Sequence, residues 1–195
     1  IGANIGQTAL EFAKLSGKGS IVLAFEPHPG NFAAAKTNMA LNDFSNIKLL
    51  NIGLGSNKTK LPITTCDHNS GSNKIASESN SNTTVVDIEK LDDILEIKNL
   101  TKVDLIKIDV EGFEMEVLKG AELTIRKFNP ILFIELDDNN LKNQKSSANE
   151  LVIFLKNLNF LIMDSETEQV ISETTNFENC HFDIICKPLA VQDSI

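Results

Sequence analysis

Stretches of strand character alternate with stretches of helical period from the first residues of this chain to about residue 136, and that alternation constrains the fold more than any other feature. Ala9, Leu10, Phe12 and Ala13 recur at helical spacing, Gly17 and Gly19 interrupt them, and Ile21-Val22-Leu23-Ala24-Phe25 is an apolar run of strand length. The pattern then repeats. Pro29 suits the first turn of a second helix that runs through Phe32, Ala35 and Met39 to about Leu41, and residues 47–52 read as the next strand. Strands joined through helices return in the same direction, so the expectation is an α/β fold: a mostly parallel sheet with helices on both faces.

Further along, residues 61–64 and 83–88 read as two short strands separated by a Ser/Asn-rich stretch over 69–84. That stretch is expected as a long mobile loop, either a lid or substrate-contacting segment or plain disorder. A short helix near 88–95, a buried strand over 103–109 and helical spacing from Glu111 to about Leu118 follow, with Gly120 as cap or break. Pro130 precedes a strand over 131–135, and Ser147 with Glu150 forms a capping box ahead of Leu151, Phe154, Leu155 and Leu158. Residues 160–163 and 182–186 are expected as an antiparallel C-terminal hairpin. The whole is expected to form one domain over 1–188, with 189–195 a tail.

Charge narrows the partners. The 27 acidic residues outnumber Lys and Arg by nine, and no block of basic residues occurs, which argues against nucleic acid and anionic membrane surfaces. No apolar stretch approaches the roughly 18 to 20 residues that cross a bilayer. The three cysteines, Cys66, Cys180 and Cys186, form no C-x-x-C pair, so neither a disulfide framework nor a zinc site is expected, and a reducing, cytoplasmic setting is. Because Ile1-Gly2 falls at a strand-to-turn junction, the first strand is expected to be cut.

The chemistry concentrates where strands end. Gly2 and Gly6, four residues apart, form a turn whose backbone approaches a ligand closely, and the helix that follows points its free amides at that ligand. Gly-x-x-x-Gly is not the dinucleotide fingerprint, so a nucleoside cofactor without a diphosphate, S-adenosylmethionine, fits better. Glu26, about 20 residues on, has the acceptor geometry for two ribose hydroxyls. Asp109 and Glu111 bracket a second turn, with Gly112 allowing close approach, and are candidates for general-base work or metal binding. His28 and His68 are reserve bases near neutral pH. Asn4 and Glu135 also close strands, and Cys66-Asp67-His68 is discounted as a metal cluster because adjacent side chains do not converge.

Several of these segments together resemble the FkbM-type S-adenosylmethionine-dependent methyltransferases: Gly2-Ala3-Asn4-Ile5-Gly6 with Thr8, Phe25-Glu26-Pro27 with Pro29, Asn38 with Leu41-Asn42, Ile106-Lys107-Ile108-Asp109-Val110-Glu111-Gly112 with Glu114, Leu118-Lys119-Gly120-Ala121, and Pro130 through Glu135. The resemblance implies a class I methyltransferase sheet of about seven strands, the last antiparallel, and methyl transfer to a hydroxyl of a small-molecule or glycan acceptor. It implies cofactor contacts from Gly2, Ala3, Asn4, Gly6, Thr8, Glu26 and Pro27, and places Asp109 toward the reacting centre, with Glu111 and His28 as further catalytic candidates. The family's acid ahead of the first glycine falls before Ile1. Two other readings stay open: a nicotinamide-dependent oxidoreductase, which shares the glycine turn but not the dinucleotide fingerprint, and a cofactor-binding relative without turnover.

Overall fold

The computed structural model describes residues 1–17, 19–65, 73–76, 78–172 and 175–189. They fall into two compact units, Ile1–Lys90 and Leu91–Ile195. His68, Cys66, residues 69–72 and 77 of the Ser/Asn-rich stretch, and all but one residue of the expected tail lie outside the described residues.

In the first unit, residues 1–6 form the glycine turn and α1 (Gln7–Leu15) follows, with its Ala9 and Ala13 face buried. Strands β1 (Val22–Phe25) and β2 (Ile47–Leu50) pair in parallel through α2 (Pro29–Ala40), and both helices pack on that pair. Gly6 has φ 87° and lies against α2: a Cβ there would sit 3.1 Å from Met39 Cε and 3.3 Å from Ala35 Cβ. Only glycine suits both that conformation and that closeness.

A second sheet in the same unit contains β3 (Gly53–Leu54), β4 (Thr59–Thr64) and β5 (Thr83–Glu89), ordered β3-β5-β4. Ile63, Val86 and Ile88 are its core. Part of the stretch expected as a loose loop is ordered here. Lys74 and Ile75 run antiparallel beside β4, with the Thr64 amide donating to the Lys74 carbonyl at 2.9 Å and the Ala76 amide to Pro62 at 2.8 Å.

The second unit begins with a 3-10 turn (Leu91–Asp93) and α3 (Leu95–Lys98), so the helix expected near 88–95 starts later, Ile88 belonging to β5. Its four-stranded sheet is ordered β6-β7-β9-β8, from β6 (Leu105–Ile108), β7 (Ile131–Asp137), β8 (Phe160–Asp164) and β9 (His181–Pro188). Helices α4 (Glu114–Gly120) and α5 (Glu122–Phe128) connect β6 to β7, and α6 (Asp138–Asn143) and α7 (Ala148–Asn157) precede β8. The capping box forms as expected, Ser147 Oγ accepting the Glu150 amide at 3.2 Å, a contribution of about 1 kcal/mol. Ile108, Leu132, Ile134, Leu136, Ile184 and Cys186 fill the buried face of this sheet. Burying each large apolar side chain stabilises the fold by roughly 1.5–3 kcal/mol.

Two corrections concern the sheet. Among the described residues the ladders contain two, three and four strands rather than one continuous set of seven, and three of the six pairings are antiparallel. The reasons are local: β4 pairs antiparallel with β5, and β9 enters antiparallel between β7 and β8. The expected C-terminal pair is present as β8 and β9, with β9 also bonded to β7. No helix among the described residues is long and apolar enough to cross a membrane.

Candidate functional site

Two groups of polar residues stand out, one in each unit. In the first, the glycine turn is fastened to the end of β1. The Gly2 and Ala3 amides donate to the Phe25 carbonyl at 3.1 and 2.9 Å, and the Asn4 amide donates to Glu26 Oε2 at 2.7 Å. Glu26 Oε1 accepts the His28 amide at 2.9 Å, so one carboxylate joins the turn to the segment leading into α2. Glu26 is 4% exposed, and burial raises its pKa while the amides of His28 and Asn4 pull the other way. Gly2 and Asn4 have φ of 78° and 48°, which curls the turn tightly.

One atom in this turn is unusual. Asn4 Oδ1 is a buried side-chain acceptor without a hydrogen-bond partner, a state that costs roughly 1–3 kcal/mol unless a donor arrives. The first turn of α1, which includes Thr8, likewise has no side-chain cap. Pro27 is half-buried directly after Glu26, and Asn51 Nδ2, a residue the sequence did not single out, donates to the Glu26 and Pro27 carbonyls at 2.8 and 3.1 Å. Turn, acid and open helix end therefore offer acceptors and donors to a polar ligand.

His28 stands in a different place from a free base. It is the N-cap of α2, its Nδ1 accepting the Asn31 amide at 3.4 Å and its Nε2 lying 3.0 Å from Thr65 Oγ1. Burial lowers its pKa, and a neutral ring that accepts at Nδ1 and donates at Nε2 satisfies both contacts. Histidine is not among the usual capping residues, so sequence pattern alone gave no signal for this job.

In the second unit, Asp109 follows β6 directly and its Oδ2 pairs with Lys107 Nζ at 2.6 Å. Glu111 is not the first helical residue that its spacing predicts. With φ 55° it sits in the turn between β6 and α4, and α4 begins three residues later at Glu114. Its Oε2 accepts from Asn140 Nδ2 at 3.1 Å. Gly112 has φ 101°, and a Cβ on it would lie 2.6 Å from the Asn140 carbonyl carbon and closer still to the oxygen. The turn and α6 are in backbone contact.

The sequence reading named Glu114 and Glu135 but gave neither a role in the site. Glu114 is 1% exposed and braces the turn, Oε1 accepting the Val110 and Gly112 amides at 3.0 and 3.1 Å. Burial, reinforced by Asp109, pushes its pKa up to about 7. Glu135 on β7 is pushed up to about 8, by burial first and then by Asp109, Glu111, Glu114 and Asp183. Glu114 belongs to the block that carries the family resemblance and Glu135 closes a strand, so both positions were visible. Their burial and mutual proximity were not. Among the described residues no group of His, Cys, Asp and Glu is arranged to hold a metal ion, so the metal option for Asp109 and Glu111 has no support here.

A stability prediction follows from Glu114. Because its folded pKa lies above the ordinary 4.5, the folded state keeps this proton longer than the unfolded chain. Stability is therefore full below about pH 4.5 and declines as pH rises through about 7, by up to about 3 kcal/mol for this group. Urea unfolding at pH 5 and pH 8 should show that decline in the wild type and a smaller one in Glu114→Gln, which mimics the protonated acid. Parallel declines would remove Glu114 as the cause.

Comparison with known proteins identifies the family and the fold. The sequence profile described as Methyltransferase FkbM domain matches residues 1–162. "Methyltransferase 1" of Beauveria bassiana is 33% identical over 141 residues, covering 62% of this chain and 56% of that protein. "Methyltransferase sdnD" of Sordaria araneosa is 32% identical over 152 residues, covering 62% and 58%. The chain thus spans little more than half the length of these curated relatives. Among solved structures, the FkbM methyltransferase of Methylobacillus flagellatus KT superposes with a TM-score of 0.59 at 18% identity, over 95% of this chain and 41% of that one. A Streptococcus mutans protein solved in complex with SAH gives 0.51 at 10% identity, over 95% and 84%. These likenesses establish a class I methyltransferase fold.

Proposed function

Because this chain belongs to the FkbM methyltransferase family, we propose that it transfers a methyl group from S-adenosylmethionine to a hydroxyl oxygen of a small molecule or sugar. The observation that carries the reading is the unpartnered Asn4 Oδ1 in a glycine turn fastened to Glu26. A nucleoside with an amino acid tail brings the donors that this atom lacks, and its ribose suits the Glu26 carboxylate, which accepts the Asn4 and His28 amides and the Asn31 side chain and has room for a further donor. Gly2, Ala3, Asn4, Gly6 and Thr8 would hold the cofactor along the turn and the open end of α1, with Glu26 and Pro27 at the ribose. When bound, the cofactor supplies an electrophilic sulfonium methyl.

The chain's own part is orientation. Asp109 and Glu111 hold the acceptor hydroxyl, Asp109 kept in place by Lys107 and Glu111 by Asn140. Holding the reacting atoms in line supplies most of the rate gain that such a transfer needs. His28 acts through its cap on α2, steadying the segment after Glu26, rather than as the base. Residues 1–188 act as one methyltransferase domain in this proposal. The unpaired Cys180 and Cys186 suit a reducing, cytoplasmic setting.

Calorimetry tests the cofactor half of the reading. S-adenosylhomocysteine should bind with measurable heat, NAD should give none, and Glu26→Gln should weaken S-adenosylhomocysteine by roughly 10- to 100-fold, because an amide donor replaces one charged acceptor. Binding of NAD instead, or equal affinity in the variant, would overturn it.

A further inference from the structure

The four-stranded sheet of the second unit has two unlike faces. Register places Phe133 beside Lys107 and Ile185, Glu135 beside Asp183, and Asp137 beside His181, so these side chains share one face, with Asp109 following Lys107 at the end of β6. The opposite face is the fully buried apolar one, with Leu132, Ile134 and Leu136 on the same strand. Glu135 is thus at the middle of a charged row on the central strand pair, its side chain 19% exposed. Facing it are Lys107 and Asp109 from β6, Glu111 from the turn, Glu114 from α4, Asp137 from its own strand, and Asp183 and His181 from β9.

His181 connects this row to water. Its Nε2 lies 3.4 Å from Glu135 Oε1 and its Nδ1 3.3 Å from Asp137 Oδ2, while its side chain is 66% exposed. Asp137 is itself fixed, its Oδ1 capping α6 through the Asn140 amide at 2.8 Å. The order is carboxylate, imidazole, anchored carboxylate, with the imidazole open to solvent.

We propose that Glu135 takes the proton released by the acceptor hydroxyl and that His181 passes it to solvent. This rests on the methyl-transfer reading above. In the step, the acceptor oxygen forms a bond to the methyl carbon and its O–H bond breaks. The electron pair of the broken carbon–sulfur bond stays on sulfur, and the proton moves to the Glu135 carboxylate and then through His181 to water. The neighbouring acids suit the job less well. Protonating Asp109 sacrifices its ion pair with Lys107, Glu111 is held by Asn140, and Glu114 is sealed beneath the turn. Glu135 and Asp137 are both partly buried beside the histidine that reaches water, but Asp137 is committed to the cap of α6, which leaves Glu135 for the proton. Its pKa near 8 places proton uptake in the range where hydroxyl methylation needs it.

The test combines rates with direct titration. With tritiated S-adenosylmethionine and the small-molecule fraction of a cell extract as acceptor, Glu135→Gln should lose at least about 100-fold in transfer rate and keep S-adenosylhomocysteine affinity within about twofold. The wild-type rate should rise with pH through a midpoint near 8, since only ionised Glu135 accepts a proton, and that rise should vanish in the variant. His181→Gln should lose about fivefold and recover with added imidazole, which a merely structural histidine would not allow. Transfer by Glu135→Gln within about threefold of wild type, with the same pH profile, overturns the proposal. Failure of the wild type to bind S-adenosylhomocysteine strikes the methyl-transfer reading instead. Carbon-13 NMR of the Glu135 carboxyl then decides without an acceptor: a midpoint near 8 that moves in His181→Gln supports the pair, and one below about 6 overturns it.

Discussion

Asp109→Asn is expected to reduce methyl transfer to less than about 1% of the wild-type rate while leaving S-adenosylhomocysteine affinity within about twofold. The side chain keeps its size, so the loss would come from charge. Asp109 holds Lys107 Nζ at 2.6 Å, and the amide weakens that hold, freeing two side chains that the proposed mechanism needs at fixed positions. Displacement by about 1 Å is enough for a loss of this order. Cofactor contacts are proposed for residues 2–27, which the substitution does not touch. Because Asp109 is partly exposed, thermal stability should change little. Steady-state rates paired with calorimetry check the split, and unchanged turnover would remove Asp109 from the mechanism.

Gly112→Ala should produce the largest stability loss of any single methyl addition at the charged face. The residue has φ 101°, where an L side chain is strained, and the added Cβ runs into the backbone carbonyl of Asn140 rather than a movable side chain. Strain and overpacking together cost about 3 kcal/mol or more, which lowers the melting temperature by roughly 10 °C in a chain of this size. The damage would spread along identified bonds. Asn140 holds Glu111 through Nδ2 and Asp137 through its amide, and Gly112 itself donates to Glu114 at 3.1 Å. A melting temperature within about 2 °C of wild type would show that turn and α6 part easily.

Local signals in the sequence carried several helix starts well. The helical spacing of Ala9 and Ala13, Pro29 at a helix start, and the Ser147 to Glu150 box all mark elements whose causes lie within a few residues. Helix α5 was missed because Gly120 read as a cap or break, whereas the chain re-enters helix at Glu122. Helix α6 was missed although Asp137 and Asn140 have the spacing of an Asx cap, since β7 runs straight into it. The family block drew attention to Asp109 and Glu111 correctly as neighbours of one turn.

What was not readable was register. Strand β7 looks uniformly apolar up to Glu135, yet its alternate residues face two different surroundings, one dry and one charged. Nothing local joins Glu135 to Asp183 or Asp137 to His181, which meet only because β9 pairs antiparallel with β7. The same long-range pairing makes Glu135 unusual, through burial and converging acids, while nothing in its immediate sequence differs from an ordinary strand-end carboxylate. His28 shows the reverse case: its chemistry suggested a base, and its contacts make it a cap.

The most direct test of methyl transfer follows the label itself. Wild-type protein incubated with tritiated S-adenosylmethionine and the small-molecule fraction of a cell extract should place tritium in a hydroxyl-bearing product as a methyl ether, with Asp109→Asn placing almost none. Tritium remaining entirely in S-adenosylmethionine, in a sample shown to bind S-adenosylhomocysteine, would contradict a catalytic role and leave a cofactor-binding protein without turnover.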